Sequence, residues 1–174
     1  MVHRPLTIEE FSHPLNFHVV PIYAFNEETS LICGTAVLIA PGLAITAKHV
    51  VDYITEKYGI NPYREGNHKL DIYLTQMQTS NTWYVNQFFH WIGTDISFLS
   101  IKPRNEGAAK YSIPKLKITV DPPKVDEEIT AIGFPKTEIK DFGYTPGVTK
   151  VNLQATPTVS VGKVLQIYAD KRDN

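Results

Sequence analysis

A chain of 174 residues with 43% hydrophobic content is long enough to bury one sizeable core or two small ones. Its 17 basic and 18 acidic side chains leave a formal net charge of -1, which argues against the concentrated basic face that nucleic-acid binding relies on. The single cysteine, Cys33, precludes an intrachain disulfide. No Cys/His cluster has zinc spacing, and no run approaches the roughly 18 apolar residues of a membrane span.

Residues 1–16 carry neither an apolar h-region nor a small-residue cleavage site, and read as an extended N-terminal arm. The expectation is a cytoplasmic protein with no cofactor, no metal, no nucleic-acid partner and no membrane partner. Phe17–Phe25 ("FHVVPIYAF") is rich in β-branched and aromatic residues and reads as a strand. "EETS" looks like a hairpin tip before a second strand, Leu31–Ala40. Cys33 lies in that apolar strand, the setting of a buried, inert thiol. Pro41–Gly42 marks a turn and Leu43–Ala47 a third strand, giving an antiparallel meander.

"KHVVDYITEKYG" is the helical candidate, with Val50, Val51 and Ile54 on one face and Gly59 placed to cap its C-terminus. Ile60–Lys69 is a polar loop. Its His68 has no second ligand at metal spacing and reads as solvent-facing. Strands resume at Leu70–Met77, Thr82–Trp91 and Asp95–Lys102. Strand packing accounts for the aromatic cluster Trp83, Tyr84, Phe88 and Phe89 better than a ligand face does. The alternation of Ile96 and Phe98 with Ser97 suits a half-buried strand. Pro103–Lys115, with its prolines and glycine, reads as a connector. Three further strands are expected at "KITV", "EEITAIGF" and "SVGKVLQIYA", separated by "DPPK" and by a long loop around "PKTEIKDFGYTPG". The acidic cluster Asp126, Glu127 and Glu128 is a solvated turn. Roughly nine or ten short strands and one short helix place the chain in the all-β class.

Two segments stand out together: "GTAVLIAPGLAITAKHVVD" around His49 and "GTDISFLSIKP" around Asp95. They resemble the first two catalytic segments of the trypsin-like serine peptidases, in particular the disulfide-free bacterial branch of HtrA- and glutamyl-endopeptidase-like enzymes. There, a Thr-Ala-x-His segment (here Thr46, Ala47, Lys48, His49) precedes an Asp-Ile-Ala-Leu-Leu-type strand (here "DISFL" from Asp95). A weaker match is the Gly-x-Pro of "EEITAIGFPKT", followed by the Gly-containing "VGKVLQI", so the likeness runs from Leu31 to Tyr168. The resemblance implies a double Greek-key β-barrel, the first barrel complete and the second partial. Residues 17–112 would form the first barrel, and 113–174 the connector and the incomplete second one.

It also implies His49 as general base and Asp95 as the carboxylate that fixes its tautomer, acting on a peptide or protein substrate. A serine hydroxyl is a poor nucleophile until an imidazole takes its proton, and that imidazole needs a carboxylate behind it. Small residues at 46 and 47 let the backbone turn tightly before the histidine. An aspartate opening an apolar strand would be costly to bury unpaired.

The family's Gly-x-Ser-Gly-Gly segment is absent. Ser97 and Ser100 share a strand with Asp95, Ser160 lacks the flanking glycines of an oxyanion hole, and Ser112 lies in the connector. No nucleophile is therefore assigned in this chain, which is expected to be inactive alone. Either the protein continues beyond Asn174 or a partner chain completes the second barrel. The Ile/Val-Val/Ile-Gly-Gly N-terminus of zymogen-type relatives is also missing. So are cysteines bracketing the histidine, which fits a reducing compartment.

Asp52 is a rival carboxylate that reads as a solvated helix residue. His90 and Trp91 either border the substrate cleft or serve core or rim packing. Two other readings stand beside the peptidase. One is a non-catalytic pseudo-protease that binds peptides on the same fold. The other is an unrelated β-barrel adaptor, in which His49 and Asp95 would lie far apart.

Overall fold

The computed structural model describes residues 2–5, 7, 13–25, 30–58, 71–76, 79–114, 116, 118–119, 121–145 and 148–167. Six of its strands close into a barrel, in the order β2 (Val19–Phe25), β3 (Ser30–Ala40), β4 (Leu43–Ala47), β7 (Ile96–Pro103), β6 (Asn81–His90), β5 (Asp71–Gln76). Strands β2 (Val19–Phe25), β3 (Ser30–Ala40) and β4 (Leu43–Ala47) form the expected meander, with Val20 paired to Ala36 and Leu38 to Ala44. Gly42 turns the chain between β3 and β4 at φ 79°. Proline before a left-handed glycine is the type II turn signature, because only glycine takes that conformation without steric cost.

Helix α1 (Lys48–Tyr58) then leads away from β4, and β5 (Asp71–Gln76) returns to pair with β2 on the opposite side. Strands β6 (Asn81–His90) and β7 (Ile96–Pro103) bring the chain back to β4, with Ala44 opposite Leu99, and close the cylinder. Ile22, Leu38, Leu74 and Leu99 fill its interior. The apolar face of α1 seals the core: Val51 and Ile54 are fully buried. Val50 packs over Gly34, where an added Cβ would lie 3.0 Å from the valine Cγ2. No helix among the described residues is long and apolar enough to cross a membrane.

The structure departs from the sequence-based expectations at several places. Strand β7 is half-buried, but its inward face carries Ser97, Leu99 and Ile101, while Ile96 points out. The β4 pairing forces this inversion, since a one-residue register step swaps every side chain to the other face. The connector is partly helical: α2 (Glu106–Lys110) is capped by the Asn105 side chain, which accepts from the Ala108 N–H at 2.9 Å. It puts Ala108, and Ile113 beyond it, into the barrel core.

The third departure is "KITV", whose described residues Ile118 and Thr119 are not in a strand. Fourth, the long loop expected around residues 135–147 is largely paired. Strands β8 (Glu128–Thr145) and β9 (Val148–Lys163) form one long hairpin, with Thr137 opposite Ala155 and Tyr144 opposite Thr149. Pro135 has no N–H for the ladder, and it sits in a bulge between Gly133 and Lys136. Strand β9 ends at Lys163, so Val164–Ile167 lies outside it. The expected Gly59 cap, the loop with His68 and most of the "EETS" tip fall outside the described residues.

Strand β1 (Val2–Pro5) pairs with β9, completing a three-stranded sheet in the order β1-β9-β8. Strand β8 lies against β3 and β2 of the barrel, and two contacts illustrate that seam. The Phe134 N–H donates to Thr35 Oγ1 at 3.1 Å, beside its own buried ring. On the barrel's outer surface, Tyr23, Phe25 and Tyr73 stack, and Leu153 of β9 packs against them.

Replacing Ile54, fully buried, by alanine should cost about 2–5 kcal/mol in urea unfolding, because it leaves a cavity under α1. Replacing Ile92, 94% exposed, should change stability by no more than about 0.5 kcal/mol.

Candidate active site

Strand β4 runs directly into α1, so His49 is the second residue of the helix, and Asp95 immediately precedes β7. Because β4 and β7 pair with Ala47 opposite Ile96, the two residues emerge side by side at one rim of the barrel. The Lys48 N–H donates to the Asp95 carbonyl at 3.1 Å, carrying the ladder one step beyond the strands. Asp95 itself is delivered by a tight turn. The Thr94 N–H and hydroxyl both donate to the Trp91 carbonyl, at 3.2 and 3.0 Å, and Gly93 takes a φ of 75°.

Both oxygens of the Asp95 carboxylate are engaged by His49. Oδ1 accepts from the His49 backbone N–H at 2.9 Å, and Oδ2 lies 2.7 Å from ring Nδ1. The first bond satisfies a helix N-terminal amide that has no partner within the helix. The second decides the tautomer. An ionised carboxylate only accepts, so Nδ1 carries the hydrogen and Nε2 presents its lone pair. Among the described residues no hydrogen bond reaches Nε2, and the side chains of His49 and Asp95 are 73% and 60% exposed. The Asp95 carboxyl is held below the usual carboxylate range, chiefly by the His49 backbone N–H and next by its ring. An oriented imidazole with a free Nε2 can accept a proton from a hydroxyl brought against it, and can later return that proton to a leaving group.

The other residues singled out in the sequence are placed as follows. Cys33 is half-buried, and burial pushes its thiol up to about 12, against a smaller opposing effect of Lys57. A thiol so rarely ionised is a poor nucleophile. Ser97 is fully buried inside the barrel. Ser100 is opposite Leu43 on β7, Ser112 is exposed after α2, and Ser160 lies across from His3 on the second sheet. No described serine is hydrogen-bonded to His49. Trp91 stacks on Phe98 at a centroid separation of 6.0 Å, while Trp83 and Phe88 point into the barrel and Phe89 points out.

Asp52 is not simply solvated. It accepts from Lys48 Nζ, and its Oδ1 lies 3.9 Å from His90 Nε2. His90 Nδ1 in turn lies 2.6 Å from Ser97 Oγ. Sequence reading missed this Asp52–His90–Ser97 series, because only the β6–β7 register puts His90 opposite Ser97.

The sequence profile described as "Trypsin-like peptidase domain" matches residues 34–174. A search of curated protein sequences finds no significant match. Among solved structures the chain is similar to mouse neuropsin, described as a serine protease expressed in the limbic system of the brain. The two share 14% identity and a TM-score of 0.52, over 94% of this chain and 64% of that one. It is similar to the same degree to the structure described as "Structure of GrC", with 14% identity, a TM-score of 0.52, and 94% and 65% of the two chains covered. At such identity the likeness is one of fold, and this chain spans just under two thirds of the length of those structures.

The depressed carboxyl gives a pH signature. Asp95 binds its proton more weakly in the folded chain than in the unfolded one. Its contribution to stability is therefore present above the unfolded value of about 3.9 and is lost as pH falls through the lower, folded value. Urea midpoints of wild type and Asp95→Asn should differ most near neutral pH and converge in acid. A gap that widens in acid would contradict the assignment.

Proposed function

The chain belongs to the trypsin-like peptidase domain family, and on that premise we propose that it carries the general-base half of a serine endopeptidase site. His49 is the base, Asp95 the group that orients it, and the nucleophilic serine comes from outside these 174 residues, on a continuation of the chain or on a partner. The observation that carries this reading is the double engagement of Asp95 by His49, with Nε2 left open. The substrate is a peptide or protein. The serine hydroxyl attacks the scissile carbonyl as Nε2 removes its proton, and the same nitrogen then protonates the departing amine. A water molecule repeats the sequence to release the acyl group. Asp95 stays ionised throughout and stabilises the imidazolium that forms in each half.

Only one ring nitrogen can do this work, so the tautomer matters as much as the distance. With Nδ1–H fixed by Asp95, the Nε2 lone pair is the one left to take a proton from a hydroxyl. The compartment follows the same reading: a chain with one inert thiol and no disulfide suits a reducing cytoplasm.

Fluorogenic peptide hydrolysis and fluorophosphonate labelling test the proposal. The purified 174-residue chain should show neither. The native species carrying this sequence, isolated from its source, should show both, with a mass above 19.6 kDa or a co-purifying partner chain. In that species His49→Ala should abolish hydrolysis, and Asp95→Asn should lower kcat by about 10⁴-fold. Turnover by the pure chain that depends on His49 would overturn the external nucleophile. A native species that binds peptides, does not label and has no partner would favour the non-catalytic reading.

A further inference from the structure

Beyond the catalytic pair, the structure contains a second polar series that none of the proposed chemistry uses. Asp52 lies on α1, one turn past His49. His90 ends β6. Ser97 lies on β7, two residues past Asp95, and is fully buried. His90 and Ser97 are register partners across β6 and β7, and Ser97 and Thr46 are partners across β7 and β4. His90, Ser97 and Thr46 thus form one row at the end of the barrel from which His49 and Asp95 project, with Asp52 reaching it from α1.

We propose that His90 is a positioning residue that bridges the two elements carrying the catalytic pair. Its Nδ1 holds Ser97 Oγ at 2.6 Å, while its Nε2 faces Asp52 Oδ1 at 3.9 Å. The carboxylate favours the tautomer with hydrogen on Nε2, so Nδ1 accepts the Ser97 hydroxyl hydrogen. That bond lies inside the barrel, where an unmade partner is costly, and it ties β6 to the first turn of β7. The Asp52 contact acts on the other side. At 3.9 Å it is an electrostatic contact rather than a hydrogen bond. Asp52 also accepts from Lys48, whose own N–H donates to the Asp95 carbonyl. The start of α1 and the start of β7 are therefore held together twice, once through Lys48 and once through His90.

The exposed His49–Asp95 contact cannot supply this rigidity, because solvent and salt weaken it. His90, 15% exposed at its side chain, is better sheltered. The row also continues away from the site. The Thr46 hydroxyl donates to the Thr35 carbonyl at 2.8 Å, and Thr35 Oγ1 accepts the Phe134 N–H that docks the second sheet. The polar row that positions the pair thus reaches the sheet on which a substrate cleft would be completed.

The proposal rests on reading His49 and Asp95 as a functional pair, and amide hydrogen exchange in the 174-residue chain separates the two questions. In the wild type, the His49 and Lys48 amides, which donate to Asp95, should be protected. Absence of that protection would sink the pair itself. His90→Phe keeps a ring but removes the contacts to Ser97 and Asp52. It should speed exchange at Lys48 and His49 by about five- to tenfold relative to amides of β2 and β3. His90→Asn, which keeps an acceptor for Ser97, should restore most of the protection. Asp52→Asn, on a half-exposed side chain, tests the other arm without disturbing the core, and should loosen the same two amides if His90→Phe fails to fold. If the variants lower the melting temperature while the two amides slow or quicken only in step with the rest of the barrel, His90 is a packing residue and the proposal is wrong.

Discussion

The bond pair between Asp95 and His49 is the constraint to which the surrounding structure answers. A carboxylate that accepts from both the backbone and the ring of one histidine fixes where the ring stands and which nitrogen holds the hydrogen. Meeting it requires the β4–α1 junction and the turn before β7 to arrive at the same rim in the same register. Ala47 opposite Ile96 supplies the register, Gly93 the turn, and the burial of Val51 and Ile54 the direction of the helix. The pair is exposed, so it contributes little to holding the fold together. The barrel holds the pair, and that asymmetry is what a site needs when its geometry must survive contact with water.

The second sheet meets the barrel through β8, which lies against β3 and β2. Phe134 fills a slot beside Thr35, and Leu153 rests on the stacked rings of Tyr23, Phe25 and Tyr73. Ile118, Val125, Ile129 and Leu165, in or flanking this sheet in the sequence, are exposed. The outer strands of the sheet, β1 and β8, have no strand partner on their far sides among the described residues.

What could be read in advance follows from the range of the interactions involved. The β2–β3–β4 meander, the Pro41–Gly42 turn and the helix around His49 rest on local signals, namely β-branched and aromatic runs, a Pro-Gly pair and a three-residue apolar face. The all-β class and the trypsin-like barrel followed from them and from the residues around His49 and Asp95. Non-local pairing was harder to see. Pro135 and Gly143 look like loop residues, yet a bulge and a long partner strand absorb them into β8. Ile96 and Phe98 look like core residues, yet the β4 register turns Ser97 inward. The Asp52–His90–Ser97 series was illegible for the same reason, since nothing in the spacing of those residues announces that β6 and β7 align His90 with Ser97 or that α1 brings Asp52 to them.

The measurement that bears most directly on the Asp95–His49 pair is a long-range proton–nitrogen NMR correlation of the histidine rings, at a pH where the His49 ring is neutral. A protonated Nδ1 with a bare Nε2, reverting to the mixed tautomers of a free imidazole in Asp95→Asn, is the predicted result. A His49 ring that carries its hydrogen on Nε2, or one that is indifferent to the loss of the Asp95 carboxylate, would contradict it.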